Sequence, residues 1–376
     1  MRLLLTCGGT AGHINPALGI AGLIKERVPN SEILFVGAVG NMETELVPKE
    51  GYDIAAVKVT NIQRSIKPDK IIHNIKSAKN ALTAVGKAKR IIKDFSPDIA
   101  VGTGGYVCYP VLRAAAALGV PAVLHESNAI PGLTTRMLEG IADKILLGFE
   151  AGISNYRHAE KVVFTGTPVR PEFAGADKER AKSELRLAPG KPLVVSVWGS
   201  LGSDYMNEIM AEFIKRLCRK PSFSLIHAAG SRGYSGMTAK LNECASGVLE
   251  RCDIDIREYI FDMPRVMAAA DLVLCRCGAS TLSELCVLGK PSILIPSPNV
   301  TGNHQEKNAR VMESAKAAVV MTEGSFTADG LLGEVSSLLS GTERLALMSQ
   351  AAKQMGVENA TEKIAEILFD MAGRPA

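Results

Sequence analysis

Leu3-Leu4-Leu5-Thr6-Cys7-Gly8-Gly9-Thr10-Ala11-Gly12-His13 begins as an apolar run of strand length, breaks into glycines and continues into a helix-like pattern. The same arrangement returns at Ile99-Ala100-Val101-Gly102-Thr103-Gly104-Gly105-Tyr106. A buried strand that ends in glycines lets the backbone approach a ligand closely, and the helix behind it offers unpaired N–H groups and the positive end of its dipole. Both turns therefore read as anion-handling, with phosphate or pyrophosphate as the natural guest.

Outward from these turns the chain alternates short apolar runs with longer helical patterns. Leu3–Cys7, Ile33–Val36, Ile99–Gly102, Ala122–His125 and Ile145–Leu147 read as buried strands of a parallel α/β sheet. The scheme starts again at Leu193–Trp198 and runs through Ser224–His227, Leu272–Cys275, Ser292–Ile295 and Ala318–Met321, with helices expected at Asp204–Arg216, Thr281–Leu288 and His304–Ser314. At 376 residues two domains are the default. The stretch Thr165-Gly166-Thr167-Pro168-Val169-Arg170-Pro171 interrupts the periodicity as a connection between domains would. The expected division is 1–164 and 165–354, with a C-terminal helix at about 355–376 that returns to the first domain.

Hydrophobic residues make up 47%, charged residues 22% and aromatic residues 5%, which suits aliphatic α/β cores and leaves little for base stacking, so no nucleic-acid partner is expected. The net charge of +4 is small but uneven: Arg64, Lys67, Lys70, Lys76, Lys79, Lys87, Lys89, Arg90 and Lys93 are opposed in their stretch by Asp69 alone. Cys7, Cys108, Cys275 and Cys286 sit in apolar runs and read as buried, reduced thiols. Cys275-Arg276-Cys277 would place two thiols on one face of a strand, but a metal needs further ligands, and no histidine stands nearby. The start of the chain breaks into glycines too soon for a signal peptide or a membrane span, so a cytosolic protein, or one bound to a membrane from that side, is expected.

His13 follows the first glycine turn where a helix should begin, and an imidazole there suits general-base work; the alternative is a hydrogen bond to a loop carbonyl. Asn15 reads as a helix N-cap. His125-Glu126-Ser127-Asn128 follows a buried strand, and its polar side chains suit hydroxyl or carboxylate recognition, with Asn128 as a turn residue in the alternative. Gly278-Ala279-Ser280-Thr281-Leu282-Ser283-Glu284 opens another helix. Its backbone N–H groups could hold a diphosphate and Glu284 could accept ribose hydroxyls, whereas Thr281 and Glu284 also have the spacing of a capping box. Ser200 and Ser203 offer similar donors in Trp198-Gly199-Ser200-Leu201-Gly202-Ser203.

The order of these motifs resembles the MurG family of N-acetylglucosaminyltransferases over nearly the whole chain. The resemblance is carried by Gly8–His13, Gly102–Tyr106, His125–Asn128 with Pro131-Gly132-Leu133-Thr134, Gly166–Arg170, Gly199–Gly202, Arg276–Glu284, and Gln305 with Asn308. It implies the GT-B architecture, two Rossmann-like parallel α/β domains facing across a cleft. The implied reaction is inverting transfer of N-acetylglucosamine from UDP-N-acetylglucosamine to the C4 hydroxyl of the muramyl sugar of lipid I, giving lipid II. By the same resemblance His13 is the base, with Glu126 in reserve. Thr10, Ala11, Gly12 and Asn128 face the acceptor and the transferred sugar; Ser200 and Arg170 lie near the phosphates; Ile260 contacts uracil; Ala279, Ser280, Thr281, Leu282, Ser283 and Glu284 meet the diphosphate and ribose; and Gln305 holds the donor. No metal and no cofactor are expected, because GT-B enzymes do not generally need a metal for this chemistry.

Two positions depart from the family pattern. Ala11 stands where many relatives have glycine and requires a negative φ, and Leu201 stands where relatives commonly have glutamine. A membrane-borne acceptor also gives the basic stretch a role. Ile71, Ile72, Ile75, Leu82 and Val85 interleave with its lysines, and each basic residue adds about 1 kcal/mol of attraction near an anionic surface. The expected location is the cytoplasmic face of a bacterial membrane, as a peripheral protein. A UDP-N-acetylglucosamine 2-epimerase is the nearest rival, since it shares the architecture without a lipid contact, and a non-catalytic nucleotide-sugar-binding protein is the rival from another class. A Rossmann dehydrogenase fits least, because the first glycines do not read G-x-G-x-x-G.

Overall fold

The computed structural model describes residues 1–59, 83–242 and 253–373. Its contacts divide the chain into two units, Met1–Val169 with Val357–Ala376, and Arg170–Gly356.

The first unit is built on seven parallel strands: β1 (Arg2–Cys7), β2 (Glu32–Ala38), β3 (Asp53–Val57), β4 (Ile99–Gly104), β5 (Ala122–Glu126), β6 (Lys144–Leu147) and β7 (Val162–Phe164). Their order is β3-β2-β1-β4-β5-β6-β7. Side chains alternate between the two faces of a strand, so each strand feeds two cores. Leu4, Ala100 and Leu124 pack with Val111, Leu112 and Ala115 of the helix Cys108–Ala117. Leu3, Leu5, Ile99 and Val101 pack on the other face with Ile14, Ala17 and Ile20 of the helix Ala11–Arg27 and with Ile364, Leu368 and Phe369 of the helix Ala360–Met371. Apolar runs rather than strict alternation are what a sheet covered on both faces requires.

The second unit has six parallel strands, β8 (Leu193–Val197), β9 (Ser224–Ala228), β10 (Ile254–Arg257), β11 (Leu272–Cys275), β12 (Ser292–Leu294) and β13 (Ala318–Val320), in the order β10-β9-β8-β11-β12-β13. Val194, Leu225, Leu272 and Ile293 pack with Met206, Met210 and Phe213 of the helix Asp204–Leu217 and with Leu331 and Val335 of the helix Ala328–Ser340. In each sheet the strand order reverses once, between β1 and β4 and between β8 and β11. Ligands of open α/β sheets bind outside the carboxyl ends of strands at such points.

Two capping expectations are corrected here. The first helix already begins at Ala11, with Thr10 in the N-cap position, so Asn15 lies inside it and caps nothing. The helix Ala279–Leu288 is preceded by Gly278 in an extended conformation, which puts Thr281 within the first turn; Thr281 and Glu284 therefore form no capping box. Ala11 is helical and absent from the positive-φ positions, so the residue that replaces glycine there is unstrained.

Of the basic stretch, Arg64, Lys67, Asp69, Lys70, Ile71, Ile72, Ile75, Lys76, Lys79 and Leu82 lie outside the described residues. Residues 83–95 are helical, with Ala84, Ala88 and Ile92 buried and Lys87, Arg90 and Lys93 exposed. Among the described residues no helix is long and apolar enough to cross a membrane.

Candidate active site

At the switch point of the first sheet the two glycine turns lock into each other. The register slips between Thr6 and Cys7, which pair with Gly102 and Gly104, so Thr103 is an extra residue on β4. Such a bulge re-aims a side chain. The Thr103 hydroxyl donates to the carbonyl of His13 at 2.6 Å, and Gly8 N–H donates to Gly104 O at 3.1 Å. Gly105, at φ +89°, lies so close to β1 that a Cβ on it would fall 2.3 Å from Gly8 O.

His13 stands in the first turn of the helix and is half-buried. Its Nδ1 lies 2.9 Å from Gly8 O, and since a carbonyl can only accept, Nδ1 carries a proton, which leaves the lone pair of the neutral ring on Nε2. The bond to a loop carbonyl, one of the two readings of His13, is therefore present, and it fixes the tautomer of the ring. Its ring covers Gly104, where a Cβ would lie 2.4 Å from Cδ2. Thr10 and Ala11 are exposed beside it.

The anion reading of this first turn is narrowed by the bonds its N–H groups already make. Gly9 N–H donates to Glu43 Oε2 at 3.1 Å, and Gly8 N–H is taken by Gly104. One N–H of the turn is thus already taken by a carboxylate of the chain itself, and Glu43, fully buried, is a residue that the sequence reading missed.

Glu126 also proves to be an organiser. Its Oε1 accepts from Asn128 N and Asn128 Nδ2 at 3.1 and 2.9 Å, and its Oε2 accepts from Gly132 N and Thr135 Oγ1 at 3.0 and 2.6 Å. A carboxylate holding four donors shapes the loop that presents Asn128 and is poorly placed to take a proton. Beside it His125 Nε2 lies 3.1 Å from Gly166 O, and burial lowers the imidazole's pKa and favours its neutral form.

In the second unit the turns after β8 and β11 meet at the other switch point. Gly199 and Gly202 have φ of +91° and +80°, and a Cβ on Gly202 would fall 2.1 Å from Ala229 O. Ser200 and Leu201 are exposed on this turn. Arg276 draws the surrounding loops together: it donates to Ser203 Oγ at 2.8 Å and to Ile295 O at 3.1 Å, and it pairs with Glu323. Gln305 Oε1 accepts from Cys277 N and Ser297 N at 3.3 and 2.9 Å, so its carbonyl end fixes the loops after β11 and β12.

The helix after β11 divides its residues between roles. Leu282 is fully buried with its N–H given to Gly278 O at 3.0 Å, and Ser283 Oγ donates back to Ala279 O at 3.0 Å, so both residues are engaged within the helix itself. Ile260 is buried as well, at 2% exposure. Glu284 is half-buried, and burial pushes its carboxyl up to about 7 against a lowering pull from Arg170. Arg170 is exposed and its guanidinium lies 5.2 Å from the Phe173 ring centre.

Among the described residues no group of three potential ligands could hold a metal ion. One Asp-x-Asp sequence is present, Asp253-Ile254-Asp255, and its carboxylates form ion pairs, Asp253 with Lys191 and Asp255 with Arg257, each at 2.7 Å.

The chain matches two protein families: the glycosyltransferase family 28 N-terminal domain over residues 3–147 and the glycosyltransferase family 28 C-terminal domain over residues 193–364. It is 43% identical, across 99% of its own length and 98% of the relative's, to the UDP-N-acetylglucosamine–N-acetylmuramyl-(pentapeptide) pyrophosphoryl-undecaprenol N-acetylglucosamine transferase of Acetivibrio thermocellus. It is 39% identical to the protein of that name from Listeria welshimeri, across 98% of its own length and 99% of the relative's. Among solved structures it superimposes on MurG from Acinetobacter baumannii with a TM-score of 0.78 at 23% identity, covering 98% of this chain and 99% of that one. It also superimposes on a UDP-GlcNAc 2-epimerase from Neisseria meningitidis with a TM-score of 0.63 at 16% identity, covering 98% and 100%. The two superpositions establish a shared fold and do not separate the activities.

Proposed function

The chain belongs to glycosyltransferase family 28 and within it to the MurG family, and from that membership we propose how its residues divide the reaction. The enzyme transfers N-acetylglucosamine from UDP-N-acetylglucosamine to lipid I and forms lipid II. Sequence identity of 43% over the full length carries this activity, where fold likeness alone would leave the epimerase equal standing.

The C4 hydroxyl of the muramyl sugar attacks the anomeric carbon of the donor, its proton passes to His13 Nε2, and the glycosidic bond to UDP breaks with inversion. The negative charge that grows on the leaving diphosphate is met by the backbone N–H groups at the start of the helix Ala279–Leu288, by Arg170 and by Ser200. Glu284 accepts the ribose hydroxyls, Ile260 meets uracil, and Gln305 holds the donor. Thr10, Ala11, Gly12 and Asn128 orient the acceptor and the transferred sugar. His13 is preferred to Glu126 because its bond to Gly8 O leaves a lone pair on Nε2, whereas Glu126 spends both oxygens on its own loop. The protein works peripherally at the cytoplasmic face of the membrane, where its lipid-linked acceptor resides.

UDP release from UDP-N-acetylglucosamine, followed in a chelator with and without a soluble lipid I analogue, tests this reading. Acceptor-dependent release that falls about 10²–10⁴-fold in His13→Ala supports it. Epimer formation without acceptor, or undiminished turnover by the variant, contradicts the reaction and the choice of base respectively.

A further inference from the structure

We propose that Glu43 is a positioning residue for His13, acting through the single peptide group that joins Gly8 to Gly9. The proposal rests on the reading of His13 as the base. Gly8 O and Gly9 N–H belong to that one peptide: its carbonyl accepts from His13 Nδ1 at 2.9 Å, and its N–H donates to Glu43 Oε2 at 3.1 Å. A carboxylate, a peptide and an imidazole are therefore joined into one hydrogen-bonded line. Hydrogen bonds in such a chain polarise one another, so a carboxylate at the N–H end makes the carbonyl a stronger acceptor. That strengthens the grip on Nδ1–H most when Nε2 has taken a proton and the ring is cationic. The role parallels that of the aspartate in a Ser-His-Asp triad, which holds the tautomer and stabilises the imidazolium without taking the proton itself.

The surroundings are built for this carboxylate. Its second oxygen accepts from Ala38 N at 2.9 Å, which fixes its orientation, and the side chain is fully buried. Gly8 and Gly37 make the room: a Cβ on Gly8 would lie 2.6 Å from Glu43 Oε1, and one on Gly37 would lie 2.5 Å from its Cγ. The titratable groups around it are Cys7 on β1 and Cys108 on the helix after β4, both pushed up by burial and hence neutral thiols, with Cys108 at about 12. His125 on β5 is near enough to feel the charge of His13, and burial favours its neutral form. Among these groups the carboxylate that is hydrogen-bonded to the line is that of Glu43.

The test uses the full-length protein with ¹⁵N-labelled histidines, the His13 signal being assigned by its loss in His13→Ala. In the wild type, imidazole NMR is expected to give His13 as the Nδ1–H tautomer. Glu43→Gln is expected to retain the fold and the donor KM, to lower kcat about tenfold, and to shift the acidic limb of the kcat profile to lower pH. A folded Glu43→Gln with unchanged kcat and unchanged acidic limb overturns the proposal. So does an Nε2–H His13 in the wild type, which decides the matter even if the variant does not fold. Full activity in His13→Ala removes the base itself, a failure of the parent reading that is distinct from loss of the Glu43 effect alone.

Discussion

Arg276 and Ser203 are joined by a 2.8 Å hydrogen bond that ties the turn after β11 to the turn after β8, across the switch point of the second sheet. Ser203 is at the same time the N-cap of the helix Asp204–Leu217, so one arginine fixes the start of that helix as well as the two loops. Its ion pair with Glu323 is largely buried, the side chains being 13% and 17% exposed. Removing one partner of such a pair leaves a charge without compensation, and Arg276→Met is expected to destabilise the second unit by about 3 kcal/mol. Adding Glu323→Gln should recover part of the loss. Urea denaturation of the single and double variants measures both; equal stability of the two variants would show that the ion pair is not the source.

How much of this was legible beforehand depended on burial. The strands read from the sequence lie inside the sheets, with β13 the one exception, because strands covered on both faces leave apolar runs that a reader can find. The strands that were missed, β3, β7 and β10, are all at edges. Residues of β7 are half-buried throughout and β10 carries exposed Asp255, so neither produces an apolar run. The site followed a similar rule. Glycine turns and His13 announce themselves by local sequence, and the family resemblance covers the donor residues. Glu43 announces nothing, since its partners Gly9 and Ala38 are brought to it by the pairing of β1 with β2.

Glu284 is expected to couple donor binding to pH. Its folded-state carboxyl is raised to about 7 from an ordinary value near 4.5. The stability that goes with the neutral carboxyl is complete below the unfolded value and is lost as pH rises through the folded one. Glu284→Gln should therefore raise Tm at pH 8 and leave it unchanged near pH 4. The same variant should weaken UDP-N-acetylglucosamine binding about 10–100-fold at pH 8, because hydrogen bonds to a charged acceptor are lost. Thermal melts and calorimetric titration at the two pH values check the opposite signs; a lower Tm at pH 8 would refute the burial argument.

Glu126→Gln separates an organiser from a base. An amide offers one acceptor oxygen where the four donors of Asn128, Gly132 and Thr135 now meet two, and its NH₂ would face N–H groups. A loss of about 2–3 kcal/mol is expected from these unsatisfied buried groups. Activity should fall in proportion to the folded fraction and to the displacement of Asn128. A variant that keeps wild-type stability while losing turnover completely would return Glu126 to the list of bases.

Gly104→Ala tests whether the placement of His13, rather than its presence, sets the rate. The position has φ +125°, which an L side chain rarely adopts, and a Cβ there would lie 2.4 Å from His13 Cδ2 and 2.8 Å from Nε2. The imidazole must swing away or the turn must yield. A displacement near 1 Å at a reacting group costs about 10²-fold in rate, so kcat should fall by about that factor. UDP affinity should change little, because the residues proposed for the diphosphate, ribose and uracil belong to the second unit. Steady-state kinetics with the lipid I analogue, read beside UDP binding by calorimetry, distinguishes the two effects. If the variant keeps wild-type kcat, the ring's seat over Gly104 is irrelevant to proton transfer, and the Nδ1 bond to Gly8 O loses its meaning as the device that aims Nε2.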